Sequence, residues 1–95
     1  MVAEYVRYEI PEARSAEFEL AYARAGAELD GAPQCVGWEL ARCVEHPERY
    51  VVRIEWGSVE EHLHGFRGSP AFGRFLADVG PFVDAIVEMT HYAQI

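Results

Sequence analysis

The chain of 95 residues contains no Lys at all, so its 8 basic residues are all Arg, against 16 Asp and Glu, and the formal charge is −8 with the four His neutral. Those Arg stand singly from Arg7 to Arg74. Nucleic-acid binding needs a clustered basic surface to displace phosphate counterions, and none is present. Cysteine is equally scarce. Cys35 and Cys43 fall in one expected strand, which at about 3.3 Å per residue sets them about 26 Å apart. That is far beyond the reach of a disulfide, and neither has the C-x-x-C neighbour of a redox or metal pair. Long apolar runs are missing too. No stretch approaches the 18 or so residues of a membrane span, and Met1 to Ile10 lacks a basic region followed by an apolar one, so the chain reads as cytoplasmic and unattached to membrane. There is no Gly-rich phosphate loop, no nucleophile elbow and no Ser/His/Asp order.

What remains is ordinary globular composition, 51% hydrophobic and 25% charged, sized for one domain over residues 1–95. A chain this short buries only about 60 to 65% of its unfolded surface, so its own core is modest. Val2 to Ile10 alternates with period two and reads as a strand, which Pro11 ends. Phe18, Tyr22, Ala25 and Leu29 then recur at helical spacing, with Gly31 and Pro33 closing that helix. Cys35 to Cys43 and Tyr50 to Trp56 read as two strands joined by a short hairpin link around His46-Pro47. A capping box, Ser58 with Glu61, opens a second helical region. Ser69-Pro70 breaks and restarts it, with Phe72, Phe75, Leu76 and Val79 on its apolar face. Gly80-Pro81 breaks it again before one more short helical turn over Phe82 to Val87, and Glu88 to Ile95 closes the chain as a fourth strand.

The order βαββαβ predicts an α+β, ferredoxin-like sandwich, a four-stranded antiparallel sheet with helices on one face. The other face carries Tyr5, Arg7, Glu9, Ala41, Cys43, Val51, Arg53, Glu55, Thr90 and Tyr92. That set is too apolar for open water and too charged for a dry core. Burial against a second copy, with Arg and Glu pairing inside, accounts for both properties and predicts a homodimer.

Residues 50–95 resemble the antibiotic biosynthesis monooxygenase family. The features that carry the resemblance are the strand ending in Glu55-Trp56, the capped helix from Ser58, the Ser69-Pro70 break with Phe72 two residues on, the Pro81-Phe82-Val83 step and the closing His91-Tyr92 strand. Residues 2–44 match in layout. The resemblance implies a dimeric α+β barrel with an apolar pocket in each subunit between sheet and helices. It further implies a cofactor-independent monooxygenase that uses O₂ on a polycyclic phenol, anthrone or quinol, with no cofactor and no metal. A non-catalytic dimeric module for an aromatic ligand or protein partner is the alternative, and a haem-binding protein ranks below it. The haem-degrading branch carries an Asn on strand one and a helix His before the Ser-Pro-like break; here Tyr5 and Phe66 stand roughly in those places.

Within that frame the candidate catalytic residues are His91, His62 and Trp56, and the candidate substrate-binding residues are Phe66, Phe72, Tyr8, Arg53 and Tyr92. Trp56, at a strand end beside a helix start, is suited to stack on a planar ligand or to pack in the core. His62 shares a helix face with Phe66, whereas His64 points about 200° away, so this H-x-H cannot clasp one metal. His91 sits on the strand face with Met89, Ala93 and Ile95, as a core histidine or as the general base for a phenolic proton. Arg53 is an interface ion-pair partner or, if substrate reaches its face, an oxyanion holder, a role it shares with Tyr92. Trp38 reads as packing or dimer contact.

Overall fold

The computed structural model describes residues 1–95. Its four strands are β1 (Val2–Glu9), β2 (Cys35–Arg42), β3 (Arg49–Trp56) and β4 (Ile86–Ala93), and its two α-helices are α1 (Ser15–Asp30) and α2 (Pro70–Val79). The strands form one sheet in the order β2-β3-β1-β4, every neighbouring pair antiparallel. This is the ferredoxin-like arrangement that the βαββαβ order predicts. The strand limits fall within two residues of the sequence reading. The last strand starts earlier, at Ile86, and ends at Ala93.

The alternation of β1 does most to position the core. Val6 and Tyr8 turn toward the helices and are buried, and Ile10 follows them just past the strand end, while Arg7 and Glu9 turn outward. Register carries that division across the sheet. Val6 faces Val52 on one side and Met89 on the other, and Tyr5 faces Arg53 and Thr90. On α1, the expected stripe of Phe18, Tyr22, Ala25 and Leu29 is buried throughout. Phe18 is the hub of this layer, its ring meeting those of Tyr8, Tyr22, Tyr50 and Phe82 at centroid separations of 4.8 to 5.2 Å. Trp38 lies on α1 at Gly26, where a Cβ would collide with its indole, and donates from Nε1 to Asp30 Oδ1 at 2.8 Å.

The second helical region departs from a regular helix. Ser58 caps it, its Oγ accepting the Glu61 N–H at 3.0 Å, but the Glu61 carboxylate lies against Gly57 and makes no return bond, so only half of the capping box forms. The chain then winds as a π-helix over Glu61–Phe66, shown by the Arg67 N–H to His62 carbonyl bond at 3.0 Å. Such insertions cluster at functional sites. Ser69 occupies the N-cap of α2 with Pro70 at its first position, yet the Ser69 hydroxyl turns back to the Phe66 carbonyl at 2.6 Å. After α2 the chain makes a 3₁₀ turn over Gly80–Ala85, the short helical turn expected there.

Phe18→Ala removes the hub of the aromatic layer. Urea denaturation is expected to show a loss of about 3 to 5 kcal/mol, the usual range for a buried Phe. A loss under about 1 kcal/mol would mean that the layer closes around the gap.

Candidate functional site

A cavity of about 240 Å³ opens between the sheet and the second helical region. Its wall is chiefly apolar, from Val6, Ile54, Trp56, Phe66, Phe72 and Phe75 to Leu76 and Met89 at the periphery. Four polar or charged groups lie in or beside this wall: the Tyr8–Tyr22 hydroxyl pair, Glu4, His62 and Arg67. Such a composition, an apolar slot with a few placed polar groups, is that of a small-molecule site.

The local chain explains why these groups converge. Glu4 follows Val2 on the inward face of β1, and the residue is only 3% exposed. Trp56, diagonal to it across the strand pair at the end of β3, donates from Nε1 to Glu4 Oε1 at 3.1 Å. His62, one residue into the π-helix, stacks on the Trp56 indole at 4.4 Å with 6° between planes, which holds its ring at a fixed angle. Its Nε2 then stands 3.5 Å from Glu4 Oε1, and its Nδ1 is 2.7 Å from Nε2 of His91 on β4, opposite Glu4 in register. The result is a continuous path, Trp56 to Glu4 to His62 to His91.

Electrostatics follow from burial. Desolvation pushes the Glu4 carboxyl up from its usual range, opposed by the Trp56 hydrogen bond and the positive fields of His91 and Arg67. Burial likewise pulls His62 down to about 4, with Arg67 and His91 adding to the shift, so this imidazole is neutral at pH 7. With Glu4 ionised, the neutral ring satisfies both neighbours when Nε2 carries the proton toward Glu4 and Nδ1 accepts from His91. Arg67 projects from the C-terminal end of the π-helix. Its Nη2 meets only the Met89 sulfur, at 4.0 Å, and its Nε is buried with no acceptor at all. A buried guanidinium N–H without a partner on a cavity wall is a place for an anionic oxygen. At the far end, Tyr8 and Tyr22 share a 2.5 Å hydroxyl contact, and burial raises both phenols.

The structure thus places His62, Trp56, Phe66, Phe72 and Tyr8 on one wall. His91 stands behind His62, touching it without lining the cavity. Arg53 and Tyr92 lie on the opposite face of the sheet, in a separate hollow of about 210 Å³, so they do not share a ligand with Trp56. There Arg53 is bound to Glu55 at 2.6 Å and to the Tyr5 hydroxyl at 3.3 Å. Arg7 pairs across strands with Glu88 at 3.1 Å. Tyr5, near the position expected for a family Asn, also faces outward, its ring edge-on to Tyr92 at 5.2 Å. His64 is exposed and apart from the cavity, as the helix geometry predicts.

Three site residues escaped the sequence reading. Glu4 had a visible signal, a lone carboxylate in the inward register of β1 among Val2, Val6, Tyr8 and Ile10. Arg67 and Tyr22 had none, because the first follows an irregular π turn and the second sits in an ordinary helical core stripe.

Comparison with known proteins agrees with this architecture. A family model described as "Antibiotic biosynthesis monooxygenase" matches residues 1–78. The "Uncharacterized protein YczJ" of Bacillus subtilis (strain 168) is 28% identical over the full length of both chains. Among solved structures, a "Putative antibiotic biosynthesis monooxygenase" from Bordetella bronchiseptica is 28% identical, with a TM-score of 0.82 over 99% of this chain and 96% of that one. SnoaB from Streptomyces nogalater, described as a cofactor-independent oxygenase and solved as a mutant, shares the fold at TM-score 0.79 and 22% identity, over 98% and 91% of the two chains.

Because the native His62 resists protonation, acid must destabilise the fold through this residue. The native state binds its proton near pH 4 and the unfolded chain near 6.5, so between those values the unfolded state holds more protons and stability falls as pH falls. Glu4 acts oppositely above pH 4.5, where the native state holds more protons and stability falls as pH rises. Comparing wild type with His62→Gln isolates the first effect. Thermal denaturation from about pH 7 to 4 should show the wild type losing stability relative to the variant, and parallel curves would show that His62 titrates normally.

Proposed function

This chain belongs to the antibiotic biosynthesis monooxygenase family, and on that premise we propose that it is a cofactor-independent monooxygenase of small fused-ring phenols, anthrones or quinols. One observation carries the reading. An apolar cavity ends on a buried carboxylate that is held by an indole N–H and backed by two histidines. Substrates of this class need no metal or flavin once deprotonated, since the resulting anion is electron-rich enough to reduce O₂ directly. The protein's task is then to desolvate, orient and remove a proton.

Glu4 is the proposed base. Its raised affinity for a proton brings it nearer to the working pH than an exposed carboxylate would be, and it faces the cavity. In the other tautomer, with its proton on Nδ1 toward His91, His62 offers that proton a way out: Nε2 takes it from Glu4 and Nδ1 passes its own to the half-buried His91 at the sheet edge. Arg67 supplies its unpartnered Nε to the developing phenolate or enolate oxygen, the role that Arg53 and Tyr92 are too distant to fill. Trp56, Phe66 and Phe72 are the walls. For an anthrone the balance closes without an outside reductant: the CH₂ carbon loses both hydrogens, one oxygen atom becomes the new carbonyl and the other leaves as water.

Size limits the substrate. At about 240 Å³ the cavity is smaller than the roughly 300 to 1,000 Å³ of drug-sized sites, which favours two or three fused rings over four. The outer sheet face supports the homodimer. Half-buried Tyr5, Val51, Arg53 and Glu55 and the exposed Tyr92 present aromatic and paired charged groups there, and a second copy of the same sheet would cover them. Sedimentation at micromolar concentration should then give about twice the 10.7 kDa chain mass.

Oxygen uptake by chelator-treated protein with naphthols, naphthoquinols and anthrones tests the activity. Uptake should exceed the spontaneous rate and fall at least tenfold in Glu4→Gln, in line with the roughly 10²- to 10⁴-fold worth of a positioned base. Arg67→Met should lower kcat more than it raises KM if its N–H meets charge that develops in the transition state. Uptake equal to the spontaneous rate across the panel would favour a binding module in place of an enzyme.

A further inference from the structure

We propose that Glu4, His62 and His91 form a binding site for one divalent first-row transition-metal ion. The three come from three separate elements, β1, the π-helix and β4, and each offers a ligand atom within 4.8 Å of the others. Two imidazoles and a carboxylate make a donor set of intermediate softness, suited to Zn²⁺, Co²⁺, Fe²⁺ or Cu²⁺ and ill suited to Mg²⁺ or Ca²⁺. The inference does not rest on the oxygenase reading.

Geometry supports it in three ways. The His62 Nδ1 to His91 Nε2 separation of 2.7 Å is a hydrogen bond with one proton between two lone-pair positions. A metal at about 2.0 to 2.1 Å from each nitrogen would replace that proton and part the rings to roughly 3 Å or slightly more. The opening required is a few tenths of an ångström, and His91, half-buried near the end of an edge strand, is the side free to make it. Second, a supporting shell is already built. The Trp56 ring fixes the angle of His62 by stacking, and its Nε1–H fixes Glu4, which is how outer groups orient metal ligands. Third, two of the three ligands line the cavity, so coordination positions left free by the protein open onto the space where a small molecule sits.

Arg67 is the opposing term. Its positive field reaches both Glu4 and His62, which weakens attraction for a cation and provides an internal test. A dication beside one carboxylate leaves a net positive site, so an anionic oxygen from hydroxide or a phenolic ligand would complete it.

Calorimetric titration of the chelator-treated chain with Co²⁺ and with Zn²⁺ tests the site, alongside the visible absorption of bound Co²⁺. One ion per chain is expected. His91→Gln and Glu4→Gln, which keep much of the side-chain shape, should each weaken binding by about 10- to 100-fold. Arg67→Met should tighten it severalfold, and His64→Ala should leave it unchanged. Absence of stoichiometric binding, equal affinity in His91→Gln, or loss of binding in His64→Ala would each overturn the site. Oxygen uptake of the metal-free chain is read separately. Uptake that persists without metal and declines as Zn²⁺ fills the site upholds both readings; stoichiometric binding with no metal-free uptake upholds the site and overturns the cofactor-independent one.

Discussion

Everything in the functional region depends on a carboxylate being held out of water. Glu4 stands in the inward register of β1, and the sheet gives it no alternative, because a shift of one residue would also turn Val6 and Tyr8 out and Arg7 and Glu9 in. Burying that charge without partners would cost several kcal/mol. Trp56 at the end of β3, His62 in the π-helix and His91 on β4 therefore collect around it. The π turn belongs to the same requirement. It brings His62 onto the indole and Phe66 beneath it, so the segment that closes the cavity also completes the polar end.

The two faces of the sheet do different work because they differ in what their charges can reach. Outward-facing Arg53 and Arg7 each have an acidic neighbour within the chain, and Glu88 also accepts from Thr90 and Tyr92. These pairs are complete in the single chain. A second sheet laid over them meets paired groups rather than bare charges, and the desolvation cost of such an interface falls accordingly. The inward face has the opposite character. Arg67 is left short of an acceptor there, and Glu4 and His62 carry shifted proton affinities. Strain of that kind is what fold stability gives up to a functional site.

Local pattern made the fold legible. Period-two alternation placed β1 and β3 to within a residue, the Phe18, Tyr22, Ala25, Leu29 spacing identified the buried stripe of α1, and Ser69-Pro70 marked the start of α2. The site was less legible. Aromatic wall residues Trp56, Phe66 and Phe72 could be named from element ends and helix faces, and His62 from its spacing to Phe66. Their partners required tertiary information: which strand neighbours β1 decides that His91 faces Glu4, and that order is set by long-range pairing that no local window contains. Arg53 and Tyr92 show the converse. Their residue types suit an oxyanion, but strand parity puts them on the face away from the cavity.

A proton path and a metal site are two occupancies of one arrangement. Between the facing nitrogens of His62 and His91 there is room for one electrophile, and at 2.7 Å that electrophile is a proton. Whatever replaces it must tolerate the positive field of Arg67 and the neutral state imposed on His62 by burial, and a neutral imidazole is the form that binds a metal. The same desolvation that makes Glu4 a stronger base also strengthens its attraction for any cation able to enter, because both effects scale with the loss of solvent screening. Arg67 restrains both, favouring the ionised carboxylate over the protonated one and repelling a second positive charge from it. Its position at the cavity wall therefore sets which electrophile the triad holds, and an anionic ligand that neutralises Arg67 shifts that balance toward the metal.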